Sequence, residues 1–373
     1  MPHFLNLDES NYCFSEPVDD GDVRENGCFT ILPVRRNIHD KTANAIAHTV
    51  TDSWKRVVAD NVVEGFCGIE NTASGTFNSL VFPESSLDRT ECISRLAQVL
   101  FLLDDKYESL PQEIAHENLG IHIAAIMDDA GVKDATTATE KMLVPVVRAL
   151  LNVDRDRGIA VTKAWRSCAL NSNAKPITEF ANFDDYIEFR IIDAGMMAFS
   201  RCIEYCMQLS LDDQERNSTL DFQRLAMTSM ALCNDWWSWS REYNAYIKGS
   251  RLLNSVYVLM KQYDLPAHKA LKKLKQCVID SEKRLVQMRH ELFSRRLSIH
   301  LQRYIDAHLL LVSGNSLWCS TSPRYHTHLY FELPGPLLPL ASNDLKAAHS
   351  NGSALTTGNH HLGNQETDSG VYN

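Results

Sequence analysis

Apolar residues recur at helical spacing along most of the chain, and the alternation expected of strands is almost absent. The first 36 residues form an irregular arm, interrupted by Pro17, Gly21, Gly27 and Pro33. From Asn37 the text becomes helical: Ile38, Ala43, Ala45, Ile46, Val50, Trp54 and Val57 make a stripe that ends near Asn61. Gly65 to Gly75 is a break, and Leu87 to Leu103 reads as a strongly apolar helix running into Asp104. The same periodicity predicts helices at about 111–127, 135–153, 158–172, 183–209, 220–248, 252–263, 267–293 and 298–316. Beyond Pro334 the chain turns to Ser, Asn, Gly, His and Thr, too polar to pack, which predicts a disordered or loosely draped tail over 334–373. Between arm and tail no boundary or repeat appears, so residues 37–333 read as one all-α domain.

At 373 residues and 44% hydrophobic content, the chain has enough apolar material for a large core. A formal net charge of -10 argues against a nucleic-acid surface, and Lys272, Lys273 and Lys275 read as the solvated face of an amphipathic helix. The ten cysteines include no CxxC pair, which points to reduced, mostly buried thiols rather than a zinc site or disulfide framework. No apolar run approaches the roughly 20 residues that span a bilayer, and the start lacks a basic segment followed by an apolar core. The expected location is the cytoplasm, as a monomer or homodimer with no nucleic-acid partner and no membrane span.

Two polar clusters interrupt the apolar helices. In MALCNDWWSWSREYNAYI, Asn234, Ser238 and Glu242 recur at intervals of four and so share one helical face, presenting an amide oxygen, a hydroxyl and a carboxylate. Hard oxygen donors of this kind suit Mg²⁺, which keeps waters and is completed by substrate phosphates. The same three residues also describe an ordinary solvated face, but Trp236, Trp237 and Trp239 interleave with them, and a mere surface helix rarely exposes such residues. The second cluster is LFLLDDKYESL, with Asp104, Asp105 and Glu108. Asp104 and Glu108 lie one turn apart, where like charges repel unless a cation stands between them. FDDYIEF repeats this pattern at Asp184, Asp185 and Glu188, on a more polar segment that suits metal binding less well.

DDxxE followed 130 residues later by NDxxSxxxE resembles the class I terpene synthases, over roughly Pro83 to Tyr325. Arg190, 44 residues before Asn234, matches that family's diphosphate-sensing arginine. The resemblance places a helix break at Asp193, Ala194 and Gly195, with Asp193 as linker and the carbonyl of Ala194 or Gly195 as effector. Arg241 matches the basic residue before the last glutamate, and Arg324 with Tyr325, in SGNSLWCSTSPRY, matches the Arg-Tyr pair in wording similar to fungal members. The first motif ends in Glu where Asp is commoner.

The resemblance implies a helical bundle around a central apolar cavity and three Mg²⁺ ions. Asp104, Asp105 and Glu108 would serve the first motif's ions, and Asn234, Ser238 and Glu242 the third. Arg190, Arg241, Arg324 and Tyr325 would bind the diphosphate by charge-assisted and hydroxyl hydrogen bonds. A carbocation left by departing diphosphate needs a dry pocket with aromatic faces, and Trp318, with Phe82, Phe101 and Phe189, supplies the candidates. The implied reaction is cyclisation of a linear prenyl diphosphate, farnesyl diphosphate first and geranylgeranyl diphosphate second. Two other readings stand beside it, a chain-elongating prenyl transferase, invited by Asp184, and a catalytically silent helical binding protein. No second catalytic module follows Tyr325 in this sequence, so the substrate is expected to come from elsewhere.

Overall fold

A computed structural model describes residues 5, 7–58, 74–108, 120–128, 134–171, 180–248 and 252–326, with Tyr107 and Glu108 described as backbone only. The arm holds a short helix, α1 (Asp20–Glu25), and a two-stranded antiparallel ribbon of β1 (Ser15–Pro17) and β2 (Arg35–Asn37) that pairs Ser15 with Asn37. The remaining helices are α2 (Asp40–Val57), α3 (Phe77–Val81), α4 (Leu87–Glu108), α5 (Ile121–Asp128), α6 (Ala138–Val153), α7 (Arg155–Asn171) and α8 (Phe183–Asp193), followed by α9 (Met196–Cys206), α10 (Asp213–Ser218), α11 (Leu220–Tyr246), α12 (Ser255–Tyr263), α13 (Ala267–Phe293) and α14 (Ile299–Thr321). The ribbon is the only sheet among the described residues, so the fold is all-α. No helix among them is long and apolar enough to cross a membrane.

The core is organised around α14, which is buried on every side from Tyr304 to Ser320. A helix buried around its whole circumference lies inside the bundle, its polar members paired internally, as Asp306 is with Arg289 and His308 with Ser200, and α14 accordingly packs against α3, α9, α11 and α13. Its closest approach is at Gly314, where an added Cβ would lie 2.0 Å from the Leu80 carbonyl oxygen of α3. The outer layers pair α2 with α4, α4 with α6, α5 with α7, and α11 with α13. Trp236, on the outer side of α11, fixes the last of these pairs by donating its Nε1–H to the Leu271 carbonyl at 3.0 Å.

The continuous periodicity of 183–209 predicts one helix, but the chain breaks into α8 and α9 at Ala194 and Gly195. The break falls where the family resemblance places it. Gly195 has φ +63°, and a Cβ there would meet the Trp165 ring at 2.6 Å and the Cys168 sulfur at 2.8 Å. Both the left-handed backbone and the space thus require glycine. Short helices α1, α3 and α10 had no readable period, and residues 334–373 lie outside the described region.

The arm is stitched to the helices by buried polar groups. Glu84 accepts hydrogen bonds from the Cys13 and Phe14 amides and from Ser15 Oγ. Glu282 on α13, with no exposed surface, accepts from Thr30 Oγ1 at 3.0 Å and the Ile31 amide at 2.7 Å. Burial pushes its carboxyl up from 4.5 to about 7, against the pull of these donors. A folded-state value above the unfolded one favours the protonated group in the fold. Its contribution to stability is therefore complete below 4.5 and is lost as pH rises through about 7. Glu282→Gln is expected to remove this component of the Tm–pH curve between pH 4.5 and about 7. A slope identical to that of the unsubstituted protein contradicts the assignment.

Candidate active site

The two polar clusters meet at one end of the bundle. On α4, Leu102 and Leu103 are buried, Phe101 and Asp105 half-buried, and Asp104 exposed, so the helix leaves the core at its carboxylates. Both Asp105 oxygens are taken by arginines. Arg324 donates Nη1–H to Oδ2 at 2.9 Å and Nη2–H to Oδ1 at 2.6 Å, and Arg241 donates Nη2–H to Oδ1 at 3.1 Å. Burial opposes ionisation of Asp105, but the charges of Arg324 and Arg241 outweigh it and hold the carboxyl below its ordinary range. Glu108 ends α4, and its side chain lies outside the described residues.

Asn234 links this group to Arg190. Its Nδ2–H donates to Tyr325 Oη at 2.8 Å, while its Oδ1 accepts from Arg190 Nη2 at 3.2 Å. Arg190 in turn donates Nε–H to Asp235 Oδ1 at 3.1 Å and lies 3.6 Å from Asp193. Desolvation works against the guanidinium's charge, yet Asp235, Tyr186 and Asp193 raise its pKa well above the ordinary value. Burial pushes the Cys168 thiol of α7 up to about 12, and the negative charges of Asp193 and Asp104 add to the shift. Asp105, Arg324 and Arg241 form one linked group and Tyr325, Asn234, Arg190 and Asp193 another, with Asp104 next to Asp105 on α4 and Arg324 next to Tyr325 in the chain. Ala194 caps α8, and the Gly195 carbonyl accepts from the Ala198 amide at 2.9 Å in the first turn of α9.

Three participants were not singled out from the sequence. Asp235 has no exposed surface, and besides Arg190 it accepts from Tyr186 Oη at 2.5 Å and the Ser255 amide at 2.9 Å. It stands inside the NDxxSxxxE motif, but roughly 100° around the helix from the face of Asn234, Ser238 and Glu242, so a reading by shared face omits it. Tyr186, its partner on α8, is fully buried. Asn254, just ahead of α12, donates Nδ2–H toward Ser238 Oγ at 3.4 Å and Glu242 Oε2 at 3.1 Å, which shows these two oxygen donors converging.

An aromatic wall begins beside this polar end. Trp318, 1% exposed, packs edge-on against Phe77, Phe101 and Tyr325 with centroids 5.0, 5.6 and 5.6 Å away. Phe199 extends the wall, touching Phe77, Phe82 and Trp165 at 6.1, 6.1 and 5.7 Å. The Arg324 guanidinium carbon sits 5.9 Å from the Phe101 centroid, where cation and ring wall join. Phe189 is not part of it and packs on Phe180 at 5.3 Å. Nothing local in the sequence marks Phe77, Phe199 and Trp165 as members of this ring cluster.

Asp184, Asp185 and Glu188 are exposed on α8. Asp185 exchanges hydrogen bonds with the N-cap Asn182, and Glu188 pairs with Arg224. Carboxylates in a first helical turn oppose the helix dipole favourably without a metal. Among the described residues, no three His, Cys, Asp or Glu side chains are gathered as an ion site by themselves. The donors that do converge include a hydroxyl beside a carboxylate, a hard-oxygen set that fits Mg²⁺ completed by other oxygens.

Residues 95–284 match the family model described as terpene synthase family 2, C-terminal metal binding. Sesterterpene synthase btcA of Colletotrichum orbiculare is 27% identical over 320 residues, covering 82% of this chain and 45% of that protein. Bifunctional terpene synthase FUP1 of Fusarium proliferatum is 28% identical over 312 residues, covering 81% and 41%. The chain spans about half the length of the curated relatives it matches. Aristolochene synthase from Penicillium roqueforti superposes with a TM-score of 0.58 at 19% identity, over 73% of this chain and 95% of that one. Germacradien-4-ol synthase from Streptomyces citricolor gives 0.58 at 17% identity, over 79% and 97%, so the likeness is one of fold. With the metal-binding family model covering about half of its length, the chain belongs to terpene synthase family 2.

Proposed function

We propose that this chain is a Mg²⁺-dependent class I terpene cyclase, a lyase that ionises a linear prenyl diphosphate, closes the resulting carbocation into rings and releases diphosphate. The observation that carries this reading is the junction of a linked arginine cluster with an aromatic wall, joined where Arg324 meets Phe101. Asp104, Asp105 and Glu108 on one side, and Asn234, Ser238 and Glu242 on the other, would hold the three Mg²⁺ ions, which supply the electrophilic pull on the leaving diphosphate.

The protein's own groups do the rest. Arg190, Arg241 and Arg324 present rigid forks to phosphate oxygens, and Tyr325 adds a hydroxyl. Arg190 and Asn234 already share a hydrogen bond, so diphosphate bound there is read by both faces of the site at once. Asp193 and the Ala194 or Gly195 carbonyl lie three to five residues beyond Arg190 and turn its position into a change at the helix break. The rings of Trp318, Phe101, Phe77 and Phe199 exclude water and offer π-faces, each worth up to about 2 kcal/mol to a desolvated cation.

A chain-elongating prenyl transferase needs a second acidic cluster in the site, and the exposed, helix-capping position of Asp184 and Asp185 disfavours it. For chain length, the names of the relatives shift first choice from C15 to C25, since the chain is similar over most of its length to sesterterpene synthases. Incubation with C15, C20 and C25 diphosphates in turn, with mass spectrometry of the organic extract, tests this. A cyclic C25 product is expected; exclusive use of C15 returns farnesyl diphosphate to first place. Elongation with added isopentenyl diphosphate would support the prenyl transferase instead.

Trp318 separates the cation-facing wall from the diphosphate end. Trp318→Ala is expected to keep ionisation but release earlier or linear products, with a stability loss of about 3–5 kcal/mol for the cavity left behind. Trp318→Phe retains a ring and should shift products less. An unchanged product mixture from both variants would mark Trp318 as ordinary core.

A further inference from the structure

We propose that Asn254 is a positioning residue that draws Ser238 and Glu242 together for the cation, an inference that rests on the metal-dependent reading above. Asn254 is 1% exposed and caps the N-terminus of α12, its Oδ1 accepting from the Val256 amide at 2.8 Å. That bond fixes the amide plane and leaves Nδ2 turned to α11. There one nitrogen, with two hydrogens, faces three acceptors: the Asp235 carbonyl at 2.8 Å, Glu242 Oε2 at 3.1 Å and Ser238 Oγ at 3.4 Å.

Left alone, a serine in a helix turns its hydroxyl to a carbonyl of the preceding turn, and a glutamate on a half-buried face extends to water. The Ser238 hydroxyl keeps that tendency, lying 3.5 Å from the Asp235 carbonyl as donor while its oxygen accepts from Asn254. Asn254 acts on the carboxylate, holding Glu242 in toward Ser238 by giving the hydroxyl oxygen and the carboxylate one shared donor. The neighbouring Ser255 amide grips Asp235 Oδ2 at 2.9 Å, so the start of α12 orders the metal donors and the Arg190 anchor together. Groups that orient metal ligands in this way typically change metal affinity by about 10- to 100-fold when lost.

An N-cap alone predicts a different outcome, because its loss lowers stability without touching cation affinity. Asn254→Ser keeps an N-capping oxygen but cannot reach Ser238 or Glu242. Mn²⁺ binding to the full chain, read by electron paramagnetic resonance with inorganic diphosphate present, is expected to weaken roughly 10- to 100-fold in this variant while its Tm stays close to that of the parent. Asn254→Thr also keeps a capping hydroxyl but lacks the two N–H donors, and its Mn²⁺ binding is expected to weaken by a similar factor. The Thr variant carries the test if the Ser variant fails to fold. Parental Mn²⁺ affinity in every variant that folds overturns the proposal while leaving the proposed function intact. A parent chain that binds no Mn²⁺ with diphosphate overturns both.

Discussion

Asp235→Ala is expected to lower kcat/KM by at least about 100-fold and to destabilise the fold by about 3–5 kcal/mol. Asp235 carries no exposed surface and holds three donors: Arg190 Nε–H, the Tyr186 hydroxyl and the Ser255 amide. Removing the carboxylate leaves the largely buried Arg190 guanidinium without its main counter-charge, and the cost is that of an uncompensated charge in a poor solvent. Asp235→Asn separates the two effects. Its amide oxygen can still accept from Tyr186 and Ser255, but its NH₂ faces Arg190 Nε–H, donor against donor. Stability should then recover in part, as read by denaturant unfolding, while kcat/KM stays low. Wild-type kinetics in Asp235→Asn would show that Arg190 does not depend on this carboxylate.

The second large effect contrasts two acidic pairs of the same spelling. Asp104→Ala is expected to reduce turnover by at least about 100-fold, because a hard oxygen donor to the diphosphate's cations is lost. Asp184→Ala removes an exposed carboxylate from the first turn of α8 and should stay within about 0.5 kcal/mol of the parent in stability, with turnover little changed. Steady-state kinetics at saturating Mg²⁺ checks both. The reverse ranking would put the metal site on α8.

Asp105 shows how far a motif carries and where it stops. Spacing puts Asp104 and Glu108 on one face and leaves Asp105 a candidate only as part of the motif, whereas in the structure Asp105 is held by Arg324 and Arg241, which arrive from 219 and 136 residues away. Such partners leave no local signal. Helical periodicity gave most of the long helices, because burying one face imposes a 3.6-residue repeat. It missed the break at Gly195, which depends on φ +63° and on the Trp165 ring of another helix, and only the family resemblance marked it. Asp235 and Asn254 were passed over for related reasons. One lies off the shared face of its own motif, and the other sits between helices, where an Asn before Ser and Val reads only as a cap. The aromatic wall was half legible: Trp318, Phe101 and Phe82 join it, but nothing local distinguishes Phe199, which belongs, from Phe189, which does not.

Release of inorganic diphosphate from C15, C20 and C25 prenyl diphosphates by the purified chain, with Mg²⁺ and then with excess chelator, tests the central claim most directly. The predicted result is diphosphate release accompanied by a cyclic hydrocarbon or alcohol from at least one substrate, abolished by chelator and restored by added Mg²⁺. No release from any of the three substrates, or undiminished release in excess chelator, contradicts it.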